Sequence, residues 1–246
     1  MEPLIRIRNL RFQYEDGSVA LNGVDFDLFP GETVAVLGAN GSGKTTFVLH
    51  LNGLLQGRGE IVVAGIPLSK KTLPAARQKI GIVFQNSDDQ LFMPTVIEDV
   101  AFGPLNLGMT PAEASERARA TLAQVDMLHA VDKAPYHLSA GEKRRVAIAG
   151  VLAMRPDMLV LDEPTTFLDP PGQLALLDLL RNLPQAKLIV THDVEFAQAL
   201  ADRAVFFERG RIADAGAVAE IVRRFSWRTV QQQRPEGSPP RVVTPL

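Results

Sequence analysis

The segment Gly38-Ala39-Asn40-Gly41-Ser42-Gly43-Lys44-Thr45 has the spacing G-x-x-x-x-G-K-[ST], and it restricts what this chain can fold into more than any other stretch. It follows Thr33-Val34-Ala35-Val36-Leu37, apolar throughout in the manner of a strand covered on both faces, and leads into a helical pattern from Lys44 to about Leu55. Small residues let consecutive backbone N–H groups curl around phosphate oxygens, and the helix N-terminus adds a partial positive charge. Lys44 supplies a point charge for the β- and γ-phosphates of a nucleotide, and the Thr45 hydroxyl is of the kind that sits on Mg²⁺. A glycine-rich turn could cap a helix without any of this. Here spacing and setting agree on a phosphate site.

Similar units recur. Ile80 to Phe84, Met158 to Leu161 and Leu188 to Val190 are further buried-strand candidates, each leading to polar residues and then a helical pattern. Strand, loop and helix in repetition predict an α/β layer with a mostly parallel core sheet. Two short β-like runs, Leu4 to Ile7 and Val24 to Leu28, come first, with Asp16-Gly17 as a turn between them. The 246 residues, 46% hydrophobic, suffice for one substantial core. The net charge of −2 gives no global attraction to nucleic acid, and the absence of cysteine removes disulfides, thiolate metal sites and thiol nucleophiles together. The longest apolar stretch, Val146 to Met154, is too short to span a membrane, and Met1 to Arg6 does not read as a signal peptide. A soluble, cytoplasmic protein is expected.

Two strand ends carry chemistry. Met158-Leu159-Val160-Leu161-Asp162-Glu163 finishes in two acids, where open α/β sheets bind ligands. Asp162 would hold Mg²⁺ directly or through water, and Glu163 is placed to polarise an attacking water. Read alone, two acids after a strand are a loop start and a helix cap; the upstream phosphate loop changes that reading. Lys187-Leu188-Ile189-Val190-Thr191-His192-Asp193 repeats the arrangement. Asp193 accounts for the following N-cap, which frees His192 to contact a γ-phosphate or water, or else to orient the loop bearing Glu163.

Between about 87 and 150 the character becomes mainly helical, an inserted helical subdomain. Thr110-Pro111-Ala112-Glu113 is a capping box that predicts a helix from Pro111 to about Val125. Ser139 and Glu142 form a second box, opening a helix that runs to about Met154. From 226 to 246 the chain is rich in proline and arginine and breaks any periodicity. It reads as a solvated tail, with docking to an acidic or membrane-surface partner as the sharper alternative.

Leu138-Ser139-Ala140-Gly141-Glu142, followed by Lys143-Arg144-Arg145-Val146-Ala147, resembles the signature motif of ATP-binding cassette ATPases. The resemblance covers about residues 4 to 225. It implies a P-loop NTPase fold with an N-terminal antiparallel β subdomain, an inserted helical subdomain and the mostly parallel core sheet. It further implies that Ser139 and Gly141, with Glu142 beside them, bind the γ-phosphate of ATP held on the phosphate loop of a second subunit. Ala140 and Glu142 depart from the family's usual second glycine and glutamine. Carried over residue by residue, Tyr14 matches the aromatic that stacks on adenine, and Gly38, Asn40, Gly41, Ser42, Gly43, Lys44, Thr45 and Thr46 match the phosphate loop. Gln85 matches the glutamine that contacts Mg²⁺ and water, and Leu168-Asp169 the loop that crosses the dimer interface, where Phe167 is bulkier than usual. The implied catalytic groups are Glu163, His192 and Lys44, the metal-side groups Thr45, Gln85 and Asp162, and the cofactors ATP and Mg²⁺.

A narrower resemblance lies in Phe84 to Phe92 and Glu98 to Gly108, which look like the ATPases of energy-coupling factor importers, most of all those for cobalt, with nickel and biotin relatives close behind. It implies a transmembrane scaffold subunit, a substrate-binding membrane subunit, and a place on the cytoplasmic face of the membrane. Leu91, Phe92, Met93 and Val96 form an apolar strip beside acids, either the docking surface for the scaffold or internal packing. One phosphate loop and one signature per chain imply an ATP-dependent dimer of two copies. The histidines His50, His129, His137 and His192 lack metal-ligand spacing, so cobalt comes from resemblance alone. Chromosome-maintenance cassettes that act on DNA need a long coiled-coil insertion, and no sustained heptads occur between Lys44 and Ser139. Translation factors of the fold join two cassettes in one chain, which this length excludes, and a phosphoryl-transfer kinase leaves Ser139 to Glu142 unexplained.

Overall fold

The computed structural model describes residues 1–227. The elements run β1 (Ile5–Gln13), β2 (Val19–Leu28), β3 (Thr33–Leu37), α1 (Lys44–Leu51), β4 (Arg58–Val63), β5 (Ile66–Pro67), α2 (Leu73–Lys79) and β6 (Ile80–Val83). They continue with α3 (Val96–Asn106), α4 (Pro111–Gln124), α5 (Ala140–Leu152), β7 (Met158–Asp162), α6 (Pro170–Arg181), β8 (Ala186–Val190), α7 (Val194–Leu200), β9 (Arg203–Glu208), β10 (Arg211–Gly216) and α8 (Val218–Arg224). A six-stranded sheet, in the order β10-β9-β3-β8-β7-β6, is parallel except for β10 at its edge. A second sheet, β2-β1-β4-β5, is antiparallel. The expected fold class is the observed one.

The central strands are buried on both sides, and the period of two along them assigns each residue to a side. On β7, Leu159 and Leu161 join the core under α3 to α6, whereas Met158 and Val160 join the core shared with α1 and the antiparallel sheet. Ala35 and Leu37 face a third cluster built by α7 and α8. The helices α3, α4 and α5 pack on one another and form the helical region expected from about 87 to 150.

Several boundaries differ from the sequence reading, each for a local reason. The first helix stops at Leu51 instead of near Leu55, because Gly53 turns to φ +66 and the Leu55 N–H returns to the Leu49 carbonyl. The first strand continues past Ile7 to Gln13. Its alternation is interrupted where Asn9 adopts φ +49 and donates its N–H to Asp25, a register shift that hides the continuation. The strands β4, β5, β9 and β10 add to the sheets beyond the runs expected from sequence. At the end of the described residues, Phe225 stacks on Phe206 at 3.8 Å and Trp227 meets the same ring edge-on at 5.5 Å. The rest of the proposed tail, from Arg228 on, lies outside the described residues.

Candidate functional site

A cleft of about 570 Å³ opens at the carboxyl ends of β3, β7 and β8 and brings together residues as far apart in the chain as Tyr14 and His192. Asn40, Gly41 and Gly43 line it from the loop between β3 and α1, Lys44, Thr45 and Thr46 from the first turn of α1, Gln85 from the segment after β6, Asp162 and Glu163 from the end of β7, and His192 from the turn after β8. Tyr14 closes one end.

The loop conformation explains its glycines. A Cβ on Gly38 would stand 2.3 Å from the Phe207 carbonyl oxygen, and one on Gly43 2.5 Å from that of Ala20. Both residues also adopt positive φ, at +142 and +110. Lys44 is buried, and its Nζ donates to the carbonyls of Gly38 at 2.6 Å and Ala39 at 3.0 Å. Burial pushes its pKa down, and the charges of Glu163 and Asp162 push it back up.

The two acids differ. Asp162 has its pKa raised, by burial first and then by the neighbouring charge of Glu163, against the pull of Lys44 and Arg144. Glu163 adopts φ +46, a strained left-handed conformation for this residue, and donates its N–H to the Val190 carbonyl at 2.8 Å. Its Oε2 lies 2.8 Å from His192 Nδ1 and accepts the His192 N–H at 3.3 Å. The ring thus reaches the loop bearing Glu163 while His192 also lines the cleft, a placement that fits both expectations for this residue. Asp193 caps α7 as expected, accepting from the Phe196 N–H.

Tyr14 is 41% exposed. Its hydroxyl is 2.9 Å from Thr46 Oγ1 and its ring meets Phe12 edge-on at 4.9 Å, so the ring is anchored at the edge of the cleft. Ser18, Val19 and Ala20 line the same end of the cleft and were not foreseen.

Ser139, Gly141, Glu142 and Asp169 do not line this cleft. Ser139 caps α5 in the expected box, its Oγ donating to Glu142 Oε2 at 2.8 Å and accepting the Glu142 N–H at 3.3 Å. The Glu142 carboxylate also accepts the Ser139 N–H and lies 3.7 Å from His129 Nε2. These bonds hold its pKa low, the Ser139 backbone bond foremost. Glu142 therefore serves the cap with its side chain. Asp169 caps α6, and a methyl placed on Gly141 would stand 4.0 Å from Leu168, so the two motifs are neighbours on one surface.

The apolar strip is divided. Val96 is fully buried and belongs to the core, which corrects its place on a docking surface; Leu91 packs partly against that core, whereas Phe92 is 63% exposed and meets Phe102 edge-on.

A family model described as ABC transporter matches residues 21–166. The chain is 45% identical over 227 residues to the energy-coupling factor transporter ATP-binding protein EcfA of Methanosphaera stadtmanae, covering 90% of this chain and 82% of that protein. The solved structure of cbiO1 from Clostridium perfringens, part of the ABC transporter complex cbiONQ, is similar with a TM-score of 0.83 at 36% identity over 92% of each chain. A dimeric, post-hydrolysis state of the ATP-binding cassette MJ0796 bound to ADP and Pi is similar with a TM-score of 0.77 at 28% identity, covering 87% of this chain and 98% of that one.

Proposed function

The chain belongs to the ABC transporter family, and from that membership we propose that it powers an energy-coupling factor importer that carries cobalt ions. It is an ATP-binding and ATP-hydrolysing subunit of an ABC-type transporter. The observation that carries the chemical reading is the convergence of Lys44, Asp162, Glu163 and His192 on one cleft. Cobalt rests on the resemblance of segments 84–92 and 98–108 to cobalt-importer ATPases, and nickel and biotin are the alternatives. Identifying which metal or vitamin is retained by the membrane complex that co-purifies with the chain distinguishes them.

The donors in the cleft fit Mg²⁺. The Thr45 hydroxyl, the Gln85 amide oxygen and the Asp162 carboxylate are hard oxygen ligands, and two adjacent carboxylates carry a repulsion that a divalent cation relieves. When bound, the ion neutralises charge on the β- and γ-phosphate oxygens. Lys44, steadied by the Gly38 and Ala39 carbonyls, offers its ammonium to the same phosphates. Glu163 accepts a proton from the attacking water as the water oxygen bonds to the γ-phosphorus and the bond to the β-phosphate oxygen breaks, leaving ADP and inorganic phosphate. His192 donates from Nδ1 to Glu163 and holds it in place. Ser139 and Gly141 face the nucleotide of a second copy, which makes both sites of a two-fold dimer composite. Phe92 and Leu91 dock the transmembrane scaffold, which with a substrate-binding subunit places the ATPase at the cytoplasmic face of the membrane. Among the described residues no helix is long and apolar enough to cross it.

Glu163→Gln tests the assignment. It keeps shape and hydrogen bonding but cannot accept the proton, so turnover should fall by about 10²- to 10⁴-fold while ATP binding persists. Light scattering should show a dimer with ATP and Mg²⁺ and a monomer without nucleotide. Unchanged turnover would remove Glu163 as the base and leave His192 as the candidate.

A further inference from the structure

Arg144 is 2% exposed on α5. Its neighbours Lys143 and Arg145 pair with Asp88 and Asp126, but among the described residues Arg144 forms no ion pair. Its guanidinium instead donates from Nη1 to the Phe84 carbonyl and from Nη2 to the Gln85 carbonyl, both at 2.5 Å, and Nε has no partner. A buried cation without a carboxylate partner is expensive, and an apolar side chain of the same size would cost the core less. Packing therefore does not account for arginine here. What arginine supplies is a rigid fork that reaches two consecutive carbonyls at once, which the single nitrogen of lysine does not reproduce.

The two carbonyls belong to the segment that leaves β6 and carries Gln85 into the phosphate cleft. We propose that Arg144 is a positioning residue that locks the Phe84–Gln85 backbone to α5 and thereby fixes where Gln85 stands in the cleft. The charge of Asp162, another cleft residue, favours the charged guanidinium at this place. A second link, Lys143 Nζ to Asp88 at 2.6 Å, runs beside it, but the Asp88 side chain is 63% exposed, and a pair so open to water contributes little. The grip therefore comes from Arg144. Because α5 begins at the Ser139 cap, with Gly141 in its first turn, the Arg144 fork couples a displacement of that end to the Gln85 backbone.

The inference rests on the proposed reading of Gln85 as a metal-side group only for its consequence, and the test separates the two. In full-length protein carrying Glu163→Gln, so that ATP is not consumed, Arg144→Lys, Arg144→Met, Lys143→Gln and Gln85→Ala are compared by amide hydrogen exchange and by ATP affinity with and without Mg²⁺. Arg144→Lys should speed exchange across residues 84–90 about tenfold or more while β3 and β7 keep their protection. It should also reduce the gain in ATP affinity from Mg²⁺ towards the value for Gln85→Ala. Arg144→Met, which fills the space without donors, should behave like Arg144→Lys or more strongly, and Lys143→Gln should leave both readouts unchanged. Native exchange at 84–90 in Arg144→Lys overturns the proposal, as does protection lost throughout the core in both Arg144 variants. If Gln85→Ala itself leaves the Mg²⁺ gain unchanged, the reading of Gln85 fails and the exchange data alone decide the role of Arg144.

Discussion

Asp162 sits partly buried at the end of β7 with Glu163 beside it, and its carboxyl holds a proton more tightly in the folded chain than in the unfolded one. Stability tied to this group falls as pH rises through the ordinary carboxylate range to the raised folded value, so at neutral pH the ionised side chain opposes folding. Asp162→Asn should raise the stability of the nucleotide-free protein by about 0.5–2 kcal/mol while it removes the benefit of Mg²⁺ for ATP binding. Thermal melts at pH 7.5 with and without Mg²⁺-ATP check both signs, and a lower nucleotide-free melting temperature contradicts the first. His50 gives the opposite dependence. It is fully buried on α1, its Nδ1 bonds to the Thr46 carbonyl at 2.7 Å, and burial lowers its pKa against that bond. The stability it confers is complete above the ordinary imidazole value, about 6.5, and is lost as pH falls below it towards the lowered folded value. Urea unfolding at pH 8 and pH 5.5 should show a steeper loss for the native chain than for His50→Leu; equal slopes would exclude His50 as the titrating group.

In the segment leading into α3, chemistry turned one apolar strip into two environments. Thr95 and Glu98 form a capping box that starts the helix at Val96 and rotates that side chain into the core. Asp99 accepts the N–H groups of Phe92 and Met93, both at 3.0 Å, which fixes the backbone with the Phe92 ring outward. Phe92→Asp should therefore change unfolding free energy by no more than about 0.5 kcal/mol while uncoupling transport, whereas Val96→Asp puts an unpaired charge among α3, α4 and α5 and should unfold the helical region. Urea titration of the isolated chain together with transport in the assembled complex distinguishes the two. A large stability loss in Phe92→Asp would return that ring to a packing role.

At the scale of the molecule, the phosphate cleft and the capped end of α5 are separate surfaces of one chain. If two copies complete each other's sites, Lys44→Ala and Ser139→Arg chains, each inactive alone, should regain activity when mixed. Random pairing makes half the dimers mixed, each with one intact composite site, so about a quarter of native turnover is expected at equal concentrations. No recovery at any ratio would mean that each site is complete within one chain or that both must act together.

The sequence by itself determined whatever depends on contiguous residues. The capping boxes at Thr110 and Ser139 and the N-cap at Asp193 are closed by contacts within a few residues, and the loop from Gly38 to Thr45 and the buried runs of β3, β7 and β8 are legible because their residue types and spacing lie in contiguous stretches. The acids and histidine at strand ends were legible as well, since a parallel strand delivers its last residues to one edge of the sheet. The tertiary structure alone decided what depends on distant segments meeting. It set the His192 ring on Glu163, placed Val96 inside and Phe92 outside, carried Phe225 and Trp227 onto Phe206, and aimed Arg144 at two carbonyls far away along the chain. Those contacts follow from the order of strands in the sheet and the crossing of α5 over the segment after β6, and no local pattern of charge or hydrophobicity encodes such a crossing.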